Sequence, residues 1–419
     1  MNALHLCAHD SGGAGKAAYR MHSNFLENGH QSALLVLHKS SPNLEIIEYK
    51  PKIYEALYLR IQRFLRRRAK SSKYLFFSTG ESFLFPNASS IARHVSFKPD
   101  LILVYWATEF VSSKSLYGLF KKTNAGIAFV FTDFAAMTGG CHYPWECSGY
   151  MKGCGKCPAL DSSKSNDLSA KVMRQKNKYL SQINKLAAVV SSRYVEDKVR
   201  ESVIFRNAVI QKLYLGLDKS VYSFKSKEQA RSELNIDESK FVILIGATDY
   251  SDPRKGLKYS VEALSKFAAI VDRPEDIIVL TVGQSIPKLK EKTNFEALNL
   301  GFLDSEAELA LVYQAANLFL STSVEEAGPQ MVNQSIMCGT PVVSFRMGVA
   351  LDLVHDGLTG YKSDLSDTDS LSKNILKIYE MTPVERKKLY KNARALGLDL
   401  LDVKGEQLAF DELLSKLNS

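Results

Sequence analysis

Along this chain, short apolar runs alternate with stretches whose apolar positions recur every three to four residues. The runs read as buried strands near 3–8, 32–37, 44–48, 100–105, 126–131 and 187–191, and the periodic stretches as helices near 14–28, 53–69, 112–122, 168–184 and 193–202. A second series follows. Strands are expected at 241–246, 277–282, 318–321 and 342–345, with helices at 255–270, 305–316 and 330–338 and closing helices from about 383. Strand–helix alternation of this kind predicts parallel sheets built from βαβ units, and the count fits two Rossmann-like halves. The expected domains are 1–213, 214–395 and a C-terminal helix at 396–419 that packs back on the first domain, joined at Tyr214-Leu215-Gly216-Leu217-Asp218 ahead of a polar run at 225–228.

A length of 419 residues is what two cores of ordinary size require. With 45% apolar and 24% charged residues the composition is that of a globular protein. No apolar run approaches the ~20 residues of a membrane-spanning helix, and Met1 leads straight into the first strand without a leader-like pattern. The expected location is the cytoplasm, where thiols stay reduced. The formal charge of +9 is concentrated at 50–73, where Lys50, Lys52, Arg60, Arg63, Arg66, Arg67, Arg68, Lys70 and Lys73 face only Glu55. Tyr54, Leu57, Tyr58, Ile61, Phe64 and Leu65 fall on one stripe of the same helix. Two readings stand: a helix packed on the core with a solvated basic face, or an interfacial helix docked on anionic lipid at the inner face of the membrane. Nothing else in the chain resembles a nucleic-acid-binding module.

Candidate chemistry is densest at 323–361. A strand ending at Ser321-Thr322-Ser323 leads to Glu325-Glu326-Ala327-Gly328-Pro329, and a helix from Gln330 is closed by Gly339 before the next buried strand. In a doubly wound sheet such strand ends bind ligands, a helix start offers free N–H groups to phosphate, and an acidic loop residue accepts hydrogen bonds from sugar hydroxyls. Glu326, with Gln334 eight positions later, followed by Met337-Cys338-Gly339-Thr340-Pro341-Val342-Val343 and by Asp356-Gly357-Leu358-Thr359-Gly360-Tyr361, resembles glycosyltransferase family 4, whose pattern is Glu-x7-Glu before an Ala-Cys-Gly-x-Pro-Val-Val run. The resemblance implies an α/β fold of the GT-B kind, two Rossmann-like domains with parallel sheets facing across a cleft. It places the second Glu, the ribose ligand of the family, on Gln334, an uncharged residue. Asp252-Pro253-Arg254-Lys255-Gly256 resembles the family's Lys-Gly element. Two adjacent cations at a helix start make electrostatic sense when an anion sits between them and the helix. Leu300-Gly301-Phe302-Leu303 matches the family's stretch beside the nucleotide base, Gly283 ends the strand before it, and Gly328, Pro329 and Gln330 stand at the helix start taken to bind the donor.

In the first half, Gly12 and Gly13, in His9-Asp10-Ser11-Gly12-Gly13-Ala14-Gly15-Lys16, read either as a tight strand–helix turn or as a loop that lets backbone approach a ligand. The resemblance puts that loop near the donor phosphates and the acceptor. Asp133, after Thr132, reads as an acceptor contact or base, or as an ordinary cap; the family has His-Asp there. Within the loop 138–160, Cys141, Cys147, Cys154 and Cys157 form Cys-x5-Cys-x6-Cys-x2-Cys. Structural zinc, unligated thiols and disulfides are the three readings, and the Cys-x2-Cys turn between glycines favours zinc. A bacterial polysaccharide-assembly subset of the family has a similar Thr-Gly-Gly-Cys-His-Tyr loop. Cys7 and Cys338 fall in strand and helix patterns as core residues.

The resemblance implies a retaining transferase without a catalytic metal: a nucleotide-sugar donor, Arg254 and Lys255 stabilising the leaving diphosphate, Glu326 positioning the sugar, and a glycan or lipid-linked acceptor in bacterial surface polysaccharide synthesis. A sugar-nucleotide epimerase of the same architecture and a non-catalytic glycan- or partner-binding protein are the rival readings.

Overall fold

The computed structural model describes residues 1–66, 73–77, 81, 86–247, 249, 251–286, 289–303, 305–328 and 330–419, and for 62–66 and 247 the backbone only. Two compact units emerge. One comprises Met1–Ser191, Val195–Leu213 and Glu406–Ser419, the other Ser192–Tyr194 and Tyr214–Gly405.

The first unit carries strands β1 (Asn2–His9), β2 (Gln31–His38), β3 (Ile46–Glu48), β4 (Leu101–Val104), β5 (Gly126–Val130), β6 (Leu186–Val190) and β7 (Val209–Lys212). Around them lie helices α1 (Gly12–Glu27), α2 (Ile53–Arg66), α3 (Ala88–Ala92), α4 (Ser113–Thr123), α5 (Gly149–Lys152), α6 (Leu168–Leu180) and, from Val195 on, α7 (Arg193–Glu201). The strand order is β3-β2-β1-β4-β5-β6-β7, and every pairing is parallel. Central strands β4, β5 and β6 are buried at every position, as strands covered by helices on both faces must be. Strand β7, Val-Ile-Gln-Lys, escapes the periodicity reading because an edge strand with two polar residues lacks a continuous apolar run.

The second unit repeats the plan with β8 (Phe241–Ala247), β9 (Ile277–Gly283), β10 (Glu296–Asn299), β11 (Leu318–Ser321), β12 (Val342–Phe345) and β13 (Gly360–Ser363), in the parallel order β10-β9-β8-β11-β12-β13. Its helices are α8 (Lys227–Glu233), α9 (Leu257–Ala268), α10 (Leu289–Thr293), α11 (Glu306–Ala315), α12 (Gln330–Met337), α13 (Ala350–Leu353), α14 (Thr368–Glu380) and α15 (Pro383–Leu400). The polar run at 225–228 opens α8, whose N-cap Ser226 accepts from the Gln229 N–H. Helix α11 starts on a capping box between Ser305 and Glu308. Two apolar clusters sandwich the sheet, one centred on Tyr313, Phe319 and Ile336, the other on Phe267, Phe295 and Phe345. The last helix, α16 (Lys404–Asn418), sends Phe410 against Phe25 of α1, ring centroids 5.2 Å apart.

Helix α2 corrects one reading. Among the described side chains of its apolar stripe, Tyr54, Leu57 and Ile61 are 56%, 61% and 51% exposed instead of packed on the core, while the charged Glu55 is 1% exposed. Glu55 faces inward because Arg93 pairs with it at 2.5 Å and the Lys52 N–H donates to it at 2.8 Å. The rest of the basic stripe, 67–72, lies outside the described residues. Among the described residues, no helix is long and apolar enough to cross a membrane.

Candidate functional site

In both sheets the strand order reverses between two neighbours, β1 and β4 in the first and β8 and β11 in the second. Ligands of open parallel sheets settle at such reversals, beyond the carboxyl ends of the strands. The loops carrying the charged motifs of the second half emerge there, after β8 and after β11.

After β8, Asp252 caps a single turn at Pro253–Lys255 by accepting from the Arg254 N–H at 3.0 Å. Gly256 then turns the chain with φ at +64°. A Cβ on it would stand 2.0 Å from the Thr322 carbonyl oxygen, so only glycine fits this close approach. The Thr322 hydroxyl, at the end of β11, donates towards the Lys255 and Gly256 carbonyls at 3.2 and 3.1 Å, and the Val324 N–H donates to the Arg254 carbonyl at 2.8 Å. These bonds stitch the two loops together and bring side chains seventy residues apart into contact. Lys255 Nζ donates to Glu326 Oε2 at 2.6 Å, and Arg254 Nη1 lies 3.7 Å from Glu326 Oε1. Arg254 also pairs with Asp252. Arg254 and Glu326 are both buried. Two cations and two carboxylates therefore form a compact cluster where α9 begins, and its N-cap, Gly256, offers no side chain to the first N–H groups of that helix. Burying Arg254 and Glu326 costs desolvation that ion pairing roughly offsets, so the cluster adds little to stability.

The remaining second-unit candidates surround the same strand ends to different degrees. Gly283 ends β9 with φ at +92° and donates to the Gly301 carbonyl at 2.7 Å; Phe302 is exposed and Leu303 half-buried beside it. Gly328 and Gln330 lead into α12 and are half-buried, while Pro329 lies outside the described residues. Gln334 is buried in α12. Its Oε1 accepts from the Tyr313 hydroxyl at 3.2 Å and its Nε2 donates to the Tyr222 hydroxyl at 2.9 Å, all three side chains being buried. An amide suits that position because it accepts from one tyrosine and donates to the other.

In the first unit, Gly12 and Gly13 open α1. A Cβ on either would meet nothing within 4 Å. Gly12 is needed for its φ of +70°, and Gly15 because a Cβ there would fall 2.5 Å from the Asp10 backbone. Asp10, unassigned by the sequence reading, anchors the loop by accepting from the Ser40 N–H and hydroxyl and the Ser41 N–H at 2.6–3.0 Å. Burial would raise its pKa, but these donors outweigh burial and hold it at about 2. Across the strand reversal, the His9 ring stacks on Trp106 with centroids 5.4 Å apart.

Asp133, after β5, is joined to His142 of the cysteine-rich loop, Oδ2 to Nδ1 at 2.8 Å, and accepts from the Ala135 N–H at 2.8 Å. The Trp106 indole N–H points at the same imidazole, 3.0 Å from Nδ1 and 3.4 Å from Nε2. With the Nδ1 proton given to Asp133, Nε2 is left to accept from Trp106. Asp133, Trp106, Glu81 and Lys176 line one cavity at the ends of β4 and β5. Lys176 and Glu81 are buried 3.8 Å apart, Lys176 donating to the Ala135 and Thr138 carbonyls. His142 and Trp106 are the side chains around Asp133 that sequence reasoning missed; the available signal was a histidine nine residues from a strand-end aspartate.

All six cysteines are free thiols. Cys7 and Cys338 are core residues whose pKa burial pushes up to about 11 and about 12. Cys141, Cys147, Cys154 and Cys157 line a second, smaller cavity of the first unit.

Residues 226–396 match the family "Glycosyl transferases group 1". The match lies in the second unit, over the Arg254–Lys255–Glu326 cluster. A curated relative, the N-acetyl-alpha-D-glucosaminyl L-malate synthase of Bacillus anthracis, is 27% identical over 187 residues, 43% of this chain and 47% of its own length. The chain thus spans about half the length of that relative. The sucrose-phosphate synthase of Thermosynechococcus elongatus superposes with a TM-score of 0.69 at 17% identity, covering 100% of this chain and 99% of its own. Anabaena HepE, solved with UDP and glucose, gives 0.66 at 14% identity, with 99% of each chain covered. The fold is that of the GT-B glycosyltransferase structures, two α/β domains with parallel sheets.

Proposed function

We propose that this chain is a retaining glycosyltransferase that moves a sugar from a nucleotide-sugar donor to a glycan or lipid-linked glycan acceptor in bacterial surface polysaccharide synthesis. The observation that carries the reading is the Arg254–Lys255–Glu326 cluster at the strand reversal of the second sheet. As the glycosidic bond breaks, negative charge builds on the departing diphosphate, and two adjacent cations stabilise that charge more than they stabilise the intact donor. Lys255 and Arg254 exchange Glu326 for the diphosphate when the donor enters. Glu326 is then free to accept hydrogen bonds from the sugar hydroxyls, and the N–H groups at the starts of α9 and α12 add donors. The Anabaena structure's ligands, UDP and glucose, favour a donor of the UDP-sugar class. Ribose recognition is assigned to groups other than Gln334, whose amide is already used inside the unit.

The acceptor belongs to the first-unit cavity, where Asp133, held by His142, is the group to take up the hydroxyl proton. An acceptor on a lipid carrier accounts for helix α2: Ile53, Leu57 and Ile61 turn to solvent among Lys50, Lys52 and Arg60, as a helix lying on the anionic cytoplasmic face of a membrane does. Sedimentation with phosphatidylglycerol vesicles tests this. The chain pellets at low salt, and Leu57→Glu reduces pelleting about tenfold; equal pelleting of the two proteins removes the membrane from the proposal.

The transferase reading is tested with labelled nucleotide sugars, with and without a glycan-lipid acceptor. Product that forms only with acceptor and keeps the donor's anomeric configuration upholds it. Epimerised donor without acceptor would make the chain an epimerase, and no binding of any nucleotide sugar would make it a non-catalytic binding protein.

A further inference from the structure

We infer that Cys141, Cys147, Cys154 and Cys157 form a structural site for a thiophilic divalent cation, zinc by its ligand chemistry, independent of the sugar-transfer chemistry. The four sulfurs come from separate turns of one loop, yet they line one cavity together with Thr138, Tyr150 and Ser169. Cys147 and Cys154 crowd the same glycine, their sulfurs 3.4 and 3.8 Å from where a Cβ on Gly149 would stand. In their present rotamers the thiols do not form a closed ligand set, nor do any three His, Cys, Asp or Glu side chains among the described residues. The backbone nevertheless has the form that thiolate ligands require.

The Gly149 N–H donates to Cys147 Sγ at 3.4 Å, two residues after the cysteine. A thiol is a weak acceptor and a metal-bound thiolate a strong one, so an N–H group aimed at a cysteine sulfur is what a thiolate site uses. The turn that presents Cys154 and Cys157 has four consecutive positive φ values: Gly153 +103°, Cys154 +60°, Gly155 +97° and Lys156 +48°. Two of these are not glycines and are held at a cost of about 1–2 kcal/mol each. Beside this turn lies a small apolar cluster of Phe76, Cys141, Cys157 and Ala159 with Tyr74 and Leu160 at its edge. A bound cation offsets the cost of the strained turn, as structural zinc contributes folding energy outright. Four thiolates around a divalent cation leave two negative charges, and the buried Lys176 ammonium, fixed on the Thr138 carbonyl at 2.9 Å, sits beside the loop.

The test uses the full chain, purified with its metal and dialysed against metal-free buffer. Elemental analysis is expected to find about one zinc per chain. After exchange for Co²⁺, intense thiolate charge-transfer bands and the visible bands of a tetrahedral tetrathiolate site are expected. Cys154→Ser and Cys157→Ser lose the zinc and those bands, and chelation of the unsubstituted chain lowers its melting temperature. Only trace metal with all six thiols reactive under denaturing conditions overturns the proposal. So does loss of four thiols to disulfides, or a Co²⁺ spectrum without thiolate bands.

Discussion

The two sheets share a strand order and differ in what stands at their reversals. In the second unit the reversal is ionic, with Arg254 and Lys255 on one loop facing Glu326 on the other. In the first it is largely aromatic, with His9 on Trp106, Trp106 on His142, and the Asp133 carboxylate bonded to the imidazole. Paired cations suit a ligand that carries or develops negative charge. Ring faces beside one hydrogen-bonded His–Asp pair suit a neutral hydroxylated ligand, with apolar walls and one group that takes a proton. One scaffold thus presents two strand reversals whose chemistry is set by the loops and not by the sheets.

That contrast can be broken at either end. Lys255→Ala carries the largest expected effect, a fall in kcat of about 10²–10³-fold at saturating donor; a fall of less than tenfold would show that the ionic reversal does not act on the leaving group. Asp133→Asn should cost about 10–100-fold in kcat/KM for the acceptor, with donor affinity by calorimetry unchanged. A matching loss of donor affinity would merge the two sites into one. Gln334→Leu leaves the Tyr222 and Tyr313 hydroxyls without their partner and should lower unfolding free energy by about 1–3 kcal/mol. Urea titration reads that loss, and donor affinity should stay within about threefold if ribose is held elsewhere. The smallest effect concerns Asp10. Its folded pKa of about 2 lies below the unfolded value of about 3.9, so its contribution is complete above that unfolded value and is lost as pH falls towards 2. Thermal unfolding between pH 5 and 2 should therefore show a steeper loss for the unsubstituted chain than for Asp10→Asn.

Much of the fold was legible because buried parallel strands are continuous apolar runs; 241–246 and 126–131 could be little else. The short elements were not. Strand β10, Glu-Ala-Leu-Asn, is exposed along its length and is a strand only because β9 offers it a ladder. Of the site, the second unit's cluster was readable from its motifs, since charges that sit beside a helix start and a strand end announce an anion site on their own. The first unit's was not, because Asp133 is defined by His142 and Trp106, and nothing local says that these three meet. Helix α2 shows the same limit: the period of its apolar stripe is written in the residues, but the stripe's direction was decided by Glu55 pairing with Arg93, thirty-eight positions away.

By itself the sequence determined the alternation of strands and helices, the two-unit plan and the positions of Arg254, Lys255 and Glu326, since these follow from residue volume, period and charge over a few neighbours. Tertiary structure alone decided that Lys255 and Glu326 touch, that Gln334 answers to Tyr222 and Tyr313, and that four thiols share a cavity. Each of these is a contact between distant parts of the chain, and such contacts exist only once the sheets have set where every loop ends.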